Sequence, residues 1–341
     1  MSEITRVGVD LAKKVFEVCG VDAQGEVVLR RRLTRGRFLK FFAKLPPCLV
    51  GMEACGGAHH WARQLQKLGH EVRLMAPQYV RPYRKRDKND RTDAEAICEA
   101  VGRPSMHFVP IKDEARQAIL VRHRVRALRM KWRTALINQF HGLLAEFGLV
   151  FPTGGSGPVY RHVPAMLEDG ENGLPDSVRG VFARMLEELR ALEAEIAQQE
   201  RELEALARQE AQTQALQAIP GVGPLTASAA VAMIGDGHQF RNGRQVANWL
   251  GLVPRHRGSG GRNRLGRIHK RGDAYLRTLL VNGARSILSR WQKHPPDSRI
   301  ARRILALADR AGFNKAVVAL AARNARVIWA MLYHQSEYRP A

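Results

Sequence analysis

An α/β domain followed by an all-α remainder is the fold this sequence predicts, and three observations carry it. From Ile4 to about Arg103, short apolar runs alternate with helical periodicity, the pattern of strands and helices in succession. Apolar residues then recur by threes and fours over two long stretches, Asp113 to Phe147 and Ser177 to Gln217, as long helices require. The last third carries a small-residue helix, Ala227 to Ile234, a packed apolar helix, Ala316 to Leu332, and between them one glycine- and arginine-rich segment. With 341 residues the chain can build two or three domains, each with its own core. The expected boundaries are 1–110, 111–217 and 218–341.

In order, Arg6 to Leu11 reads as the first strand, and Val15 to Asp22 with Glu26 to Leu33 as a hairpin turning at Ala23-Gln24-Gly25. Arg37 to Leu45 is a helix, Pro47 to Ala54 a buried strand, Ala58 to Leu68 a helix and Glu71 to Met75 a strand. A helix then begins near Asp90. Strand, hairpin, helix, strand, helix, strand, helix is the order of an RNase H-like domain, in which side chains at the carboxyl ends of adjacent strands and on a following helix can meet.

The helix from Asp113 to Phe147 carries Arg116, Arg122, Arg124, Arg126, Arg129, Lys131 and Arg133 on its polar faces. That face suits either solvent or nucleic acid. Residues 151–176 turn to glycine and proline and read as a loop. Ser177 to Gln217 presents a coiled-coil seam through Phe182, Met185, Leu189, Leu192, Ile196, Leu203 and Leu206. Its many glutamates predict packing on the preceding basic helix, on another subunit, or on both. Ile219-Pro220-Gly221-Val222-Gly223 opens the helix Ala227 to Ile234, either as half of a helix-hairpin-helix element or as a plain interhelical turn.

Lys and Arg total 55 against 32 Asp and Glu, a net charge of +23, and the sequence pI is near 10.8. Nucleic acid is the partner this balance predicts. No stretch reaches the about 18 uninterrupted apolar residues of a spanning helix, so no membrane role is expected. Ala316 to Leu332, interrupted by Arg323, Asn324 and Arg326, reads as a packed helix. Met1 to Arg6 lacks the pattern of a secretion signal. Cys19, Cys48, Cys55 and Cys98 show no C-x-x-C spacing and read as reduced core residues of a cytoplasmic protein. His59-His60, His256 and His269 lack the partners and spacing of a zinc site.

Four acids make the sharpest candidate site. Asp10 and Glu53 each end a short apolar run, and Asp90 and Asp93, three apart at a helix start, share a face. Converging carboxylates repel one another unless divalent cations neutralise them, so the pattern suggests a two-metal phosphoryl-transfer site using Mg2+ or Mn2+. The bland reading makes Asp90 a helix cap. Arg84, Lys85, Arg86, Lys88 and Arg91 surround the acids with positive charge, as an anionic polymer would require. A second basic run contains Arg255, Arg257, Arg262, Arg264, Arg267, Lys270 and Arg271 and no acid. Within it Ser259, flanked by glycines, is either a nucleophile toward a phosphodiester or part of a loop touching phosphates.

Taken together, these segments closely resemble the DEDD-type transposases of bacterial insertion sequences, a family that includes bridge-RNA-guided recombinases and Piv-type invertases. The resemblance runs over essentially the whole chain. It rests on Val7-Gly8-Val9-Asp10-Leu11-Ala12-Lys13, Gly51-Met52-Glu53-Ala54-Cys55-Gly56-Gly57 and Asn89-Asp90-Arg91-Thr92-Asp93-Ala94. In the C-terminal half it adds Ile219-Pro220-Gly221-Val222-Gly223, Trp249-Leu250-Gly251-Leu252-Val253-Pro254, and Ser259-Gly260 followed by Gly266-x-Ile268-x-Lys270-x-Gly272. The resemblance implies an RNase H-like (RuvC-like) domain whose Asp10, Glu53, Asp90 and Asp93 bind Mg2+, and a helical transposase domain whose Ser259 joins covalently to DNA. It implies element ends and target DNA as substrates, a structured guide RNA in one branch of the family, and a homo-oligomer, dimer or tetramer, associating through the long helices. It also implies a bacterial protein associated with the nucleoid. The alternative from the residues alone is a metal-dependent nuclease akin to a junction resolvase, which needs the four acids but not Ser259. A further alternative is a nucleic-acid-binding protein without catalysis.

Overall fold

The computed structural model describes residues 3–84, 90–257 and 264–339, which divide into two compact units, 1–117 and 118–341. Helices predominate, with a mixed sheet at the centre of the first unit. That sheet orders β3-β2-β1-β4-β5-β6, where β1 is Arg6–Leu11, β2 Val15–Val21, β3 Val27–Thr34, β4 Leu49–Glu53, β5 Glu71–Met75 and β6 Phe108–Val109. β1, β2 and β3 form an antiparallel meander, while β1, β4 and β5 run parallel. Between the strands lie α1 (Arg35–Phe42), α2 (Ala58–Lys67), the short α3 (Pro77–Val80) with a 3-10 turn Arg81–Tyr83, and α4 (Asp90–Val101). β1 to β5, α1, α2 and α4 follow the predicted elements to within a few residues, because strand and helix periods differ clearly along this stretch, whereas the short α3, the 3-10 turn and the two-residue β6 were not foreseen.

Side chains alternate across a strand, so the two faces of β1 have separate fates. Val7 and Val9 are fully buried with Phe16, Phe38 and Trp61, whose rings meet edge to face at 4.9 to 5.2 Å. Gly8 turns the other way, toward α4. A Cβ there would lie 2.3 Å from the Ala94 carbonyl oxygen and 2.4 Å from the Cys98 nitrogen. Gly51 on β4 repeats the arrangement, since its Cβ would come within 2.6 Å of Val101 Cβ. Two glycines therefore let α4 settle against the sheet.

The second unit begins in α5 (Glu114–Ala145) and continues through α6 (Ser156–Glu168), α7 (Asp176–Gln209) and α8 (Ala211–Leu216). Ion pairs Arg122–Glu202, Arg126–Glu200, Arg129–Glu195 and Arg133–Glu193 climb α5 while descending α7, so the two helices run antiparallel. Packing of the acidic helix on the basic one is thus realised within the chain. Phe182, Leu189, Ile196 and Leu203, each seven residues on, are all buried along α7.

Two expectations for this region change. Residues 151–176, read as a loop, contain α6: its Val159 and Val163 are fully buried beside Phe140, Leu144 and Phe182, and this burial outweighs Pro164 inside the helix. The predicted helix Ser177 to Gln217 breaks at Glu210, which adopts an extended conformation and accepts a 2.7 Å hydrogen bond from the Thr213 hydroxyl.

The remaining core gathers α9 (Pro224–Ile234), α10 (Gly243–Trp249), α11 (Ala274–Lys293), α12 (Arg299–Ala311) and α13 (Phe313–His334). Asn242, Asp273 and Ser298 cap α10, α11 and α12 by accepting from the backbone N–H of Gln245, Leu276 and Ala301. By length and composition α13 could cross a membrane. Here it is a core helix, with Ala316, Val317, Leu320, Ala321, Ala325 and Ile328 buried. Between α10 and α11, β7 (Pro254–Arg257) and β8 (Arg264–Ile268) pair antiparallel.

Candidate active site

Asp10 and Glu53 come together because β1 and β4 are parallel neighbours in a fixed register. Val9 pairs with Met52, so the next residue on each strand, Asp10 and Glu53, stands at the same level. Each lies two residues beyond a glycine that faces α4, and the two-residue period turns both carboxylates toward that helix. Asp93, in the first turn of α4, faces them. The side chains of Glu53 and Asp93 are only 12% and 14% exposed, so their charges need a partner.

Arg84, just beyond the 3-10 turn, supplies one. Its Nη2 donates to Glu53 Oε1 at 2.7 Å, and its Nε lies 3.2 Å from Asp93 Oδ1. That Nε is buried and makes no hydrogen bond among the described residues. A guanidinium thus spans two of the predicted ligands. Cys55, expected in the core, is instead exposed beside the acids. Burial of its sulfur raises the thiol pKa, and the charges of Asp10 and Glu53 raise it further. Cys19, Cys48 and Cys98 are buried as expected.

Asp90 is the first residue of α4, while its side chain and that of Arg91 lie outside the described residues, as do Lys85, Arg86 and Lys88. Among the described residues no three His, Cys, Asp or Glu side chains close into a metal cage. Carboxylate oxygens are nonetheless the hard donors that Mg2+ and Mn2+ prefer, and a cation already bridges two of them.

The second predicted region is a hairpin. Ser259 and Arg262 lie outside the described residues, as do the side chains of Arg257 and Arg264. Arg255, Gly266, Arg267, Ile268 and Lys270 line a groove of about 540 Å3 with three cations on its walls. Sequence reasoning did not foresee how its base is held. A Cβ on Gly272 would fall 1.7 Å from the Trp249 carbonyl oxygen, and one on Gly251 would fall 2.4 Å from that of Arg271. Both glycines have positive φ, and Lys270 adopts φ 57°, costly for a residue with a side chain. The Lys270 N–H bonds the Gly251 carbonyl at 3.2 Å. His269 accepts the Arg271 N–H at Nδ1, 3.0 Å, leaving Nε2–H to donate to Asn248 Oδ1, also 3.0 Å. Partial burial and the nearby charges of Arg271, Arg255 and Arg277 lower its pKa, which keeps the ring neutral in that role. The signal in the sequence was the glycine pair itself.

The Gly221 turn packs on protein. A Cβ on Gly221 would lie 2.8 Å from the Gly283 carbonyl oxygen on α11, and the buried Asn324 side chain donates to the Pro220 carbonyl at 2.8 Å.

Residues 7–149 match a DEDD model of the IS110 group described as a transposase, and residues 213–299 match the "Transposase IS116/IS110/IS902 family". The chain is 49% identical over 337 residues to a "Probable family 20 transposase" of Pseudomonas aeruginosa, covering 99% of each protein. It is 43% identical over 339 residues to the "Transposase for insertion sequence element IS1111A" of Coxiella burnetii, covering 99% of this chain and 92% of that protein. With the "Transposase for insertion sequence element IS1328" of Yersinia enterocolitica it shares 39% identity over 329 residues, 96% and 97% of the two chains. The acids on two neighbouring strands and a facing helix, and the relatedness along nearly its full length, lead to one conclusion: the chain belongs to the IS110/IS116 family of DEDD-type insertion-sequence transposases, enzymes that cleave and rejoin DNA.

Proposed function

We propose that this transposase cuts and rejoins element ends and target DNA through a covalent phosphoserine at Ser259, with Asp10, Glu53, Asp90 and Asp93 holding Mg2+ or Mn2+. The observation that carries the reading is the convergence of Glu53 and Asp93 on one cation, with Asp10 level with Glu53 on the next strand. The sheet order, with α4 lying against it, is read as an RNase H-like (RuvC-like) domain over 1–110. A long-helix region, 111–217, and a helical transposase domain, 218–341, follow. A bound divalent ion would supply charge to stabilise the transferring phosphoryl group.

The chain's own groups do the rest. Ser259 Oγ attacks phosphorus and loses its proton; a P–O bond to serine forms as one P–O ester bond of DNA breaks. The leaving oxygen takes up a proton as a deoxyribose hydroxyl. Attack by another such hydroxyl reverses the step and frees the serine, so the ester energy is conserved and strands rejoin without an external source. Arg255, Arg267 and Lys270 bind backbone phosphates along the groove, extended by Arg257, Arg262, Arg264 and Arg271. A surface that grips backbones suits a protein whose sequence choice is delegated to a structured guide RNA. Val121, Val125, Leu128 and Trp132, spaced by four, three and four along α5, are 57, 37, 45 and 55% exposed. Such a seam supports association with a second copy.

The test is a covalent-adduct assay with full-length protein, Mg2+, labelled junction DNA and the element's RNA on a denaturing gel. A protein–DNA band lost in both Ser259→Ala and Asp10→Asn is expected. Free cleaved DNA, unchanged in Ser259→Ala, would sink the phosphoserine step and leave a metal-dependent nuclease.

A further inference from the structure

We propose that Arg84 is a resident counter-ion of the acid cluster, one that competes with the divalent ion for Glu53 and Asp93 and is released when the ion enters. The inference rests on the metal reading above. Three observations carry it. The guanidinium occupies the oxygens a metal would need, Glu53 Oε1 at 2.7 Å and Asp93 Oδ1 at 3.2 Å. Mg2+ demands its oxygens at about 2.0–2.1 Å in near-octahedral array, a geometry those oxygens cannot adopt while they hold a planar guanidinium. The Arg84 side chain is 28% exposed and comes from outside α4 and the sheet, so it can swing away without moving the acids.

Electrostatics favours this exchange. Without an ion, carboxylates that are 12% and 14% exposed repel one another, and one arginine relieves that repulsion. With a divalent ion bound, the same arginine faces a like charge and loses its partners. Its Nε, 3.2 Å from Asp93 Oδ1, is held by charge and not by a well-aligned hydrogen bond among the described residues. A released guanidinium beside the ion is suited to a phosphate oxygen, which it can grip with two parallel donors. Arg84 thereby keeps the empty site intact and gives its charge to DNA only when the ion is present.

Mn2+ titration of the full-length protein by calorimetry, alongside thermal unfolding with and without Mn2+, tests this for wild type, Arg84→Gln, Arg84→Lys and Asp10→Asn. Arg84→Gln should bind Mn2+ about tenfold more tightly, the worth of one charge-assisted hydrogen bond. Its metal-free melting temperature should fall and be restored by Mn2+. Arg84→Lys, which keeps the charge but not the fork, should lie between the two and serves if the Gln variant does not fold without metal. Mn2+ affinity unchanged or weaker in both Arg84 variants, with wild-type binding dependent on Asp10, would overturn the proposal alone. Wild-type binding that is absent, or indifferent to Asp10→Asn, would overturn the metal reading and this proposal with it.

Discussion

His123 shows how one buried residue can set the pH range of a fold without touching the chemistry. It is fully buried on α5, with Nδ1 2.9 Å from the Tyr275 hydroxyl on α11 and Nε2 3.2 Å from the Ser228 hydroxyl on α9. Burial, and secondarily the charge of Arg126, lowers its pKa from 6.5 to about 4. The native state therefore holds the neutral ring, while the unfolded chain takes up a proton below its ordinary value. Stability from this group is complete above pH 6.5 and is lost as pH falls toward 4, by about 3 kcal/mol in all. Urea unfolding at pH 7.0 and 4.5 should show that loss in the wild type and a flatter pH dependence in His123→Gln. An equal slope in both proteins would assign the acid sensitivity elsewhere. Glu193 illustrates the opposite balance. Burial pushes its pKa up, but hydrogen bonds from Ser156, Tyr160 and Arg133 prevail and hold it below its usual value. Burial, and after it the hydrogen bond to Glu193, drives the Tyr160 hydroxyl up to about 12.

Among the elements, α4 matters most, because its distance from the sheet sets where Asp93 stands relative to Asp10 and Glu53. Gly8 and Gly51 fix that distance by having no side chain. Gly8→Ala must push α4 outward, and overpacking of this kind costs about 1–3 kcal/mol. Adduct formation should fall more steeply than stability, since Asp93 moves with the helix. Gly36, on α1, has open space where a Cβ would go. Gly36→Ala should leave activity intact and stabilise slightly, because alanine is the better helix former. Denaturant unfolding and the adduct assay on both variants check the contrast; equal behaviour would show that the α4–sheet contact is not what holds the acids in position.

Across the whole molecule, the net charge of +23 overstates what is free to meet nucleic acid. Arg122, Arg126, Arg129 and Arg133 are engaged by glutamates of α7, so the polar face of α5 is partly neutralised within the chain. Beside the exposed Arg124 and Lys131, α5 also exposes an apolar stripe: Val121, Val125, Leu128 and Trp132. On the proposed association through this stripe, Trp132→Glu should lower the sedimenting mass while leaving far-ultraviolet circular dichroism unchanged. An unaltered mass would exclude this stripe as the interface.

Much of this protein was determined by sequence alone, and the reasons are local. Strand and helix periods are distinct between residues 4 and 103, so the order of β1 to β5 with α1, α2 and α4 followed directly, though not the short α3, and the spacing of Asp10, Glu53 and Asp93 at element ends already marked the candidate site. The glycines two residues before Asp10 and Glu53 were visible as letters, but their purpose was not, since only the packed structure brings α4 against them. Tertiary contacts decided the rest. Buried valines made a helix of Ser156–Glu168 where composition suggested a loop. The chain leaves the helix at Glu210, which is extended, although the apolar periodicity continues through it. Arg84 read as one cation among many until the fold delivered it to two carboxylates, because pairing between residues 31 and 9 positions apart depends on a register that no local pattern encodes.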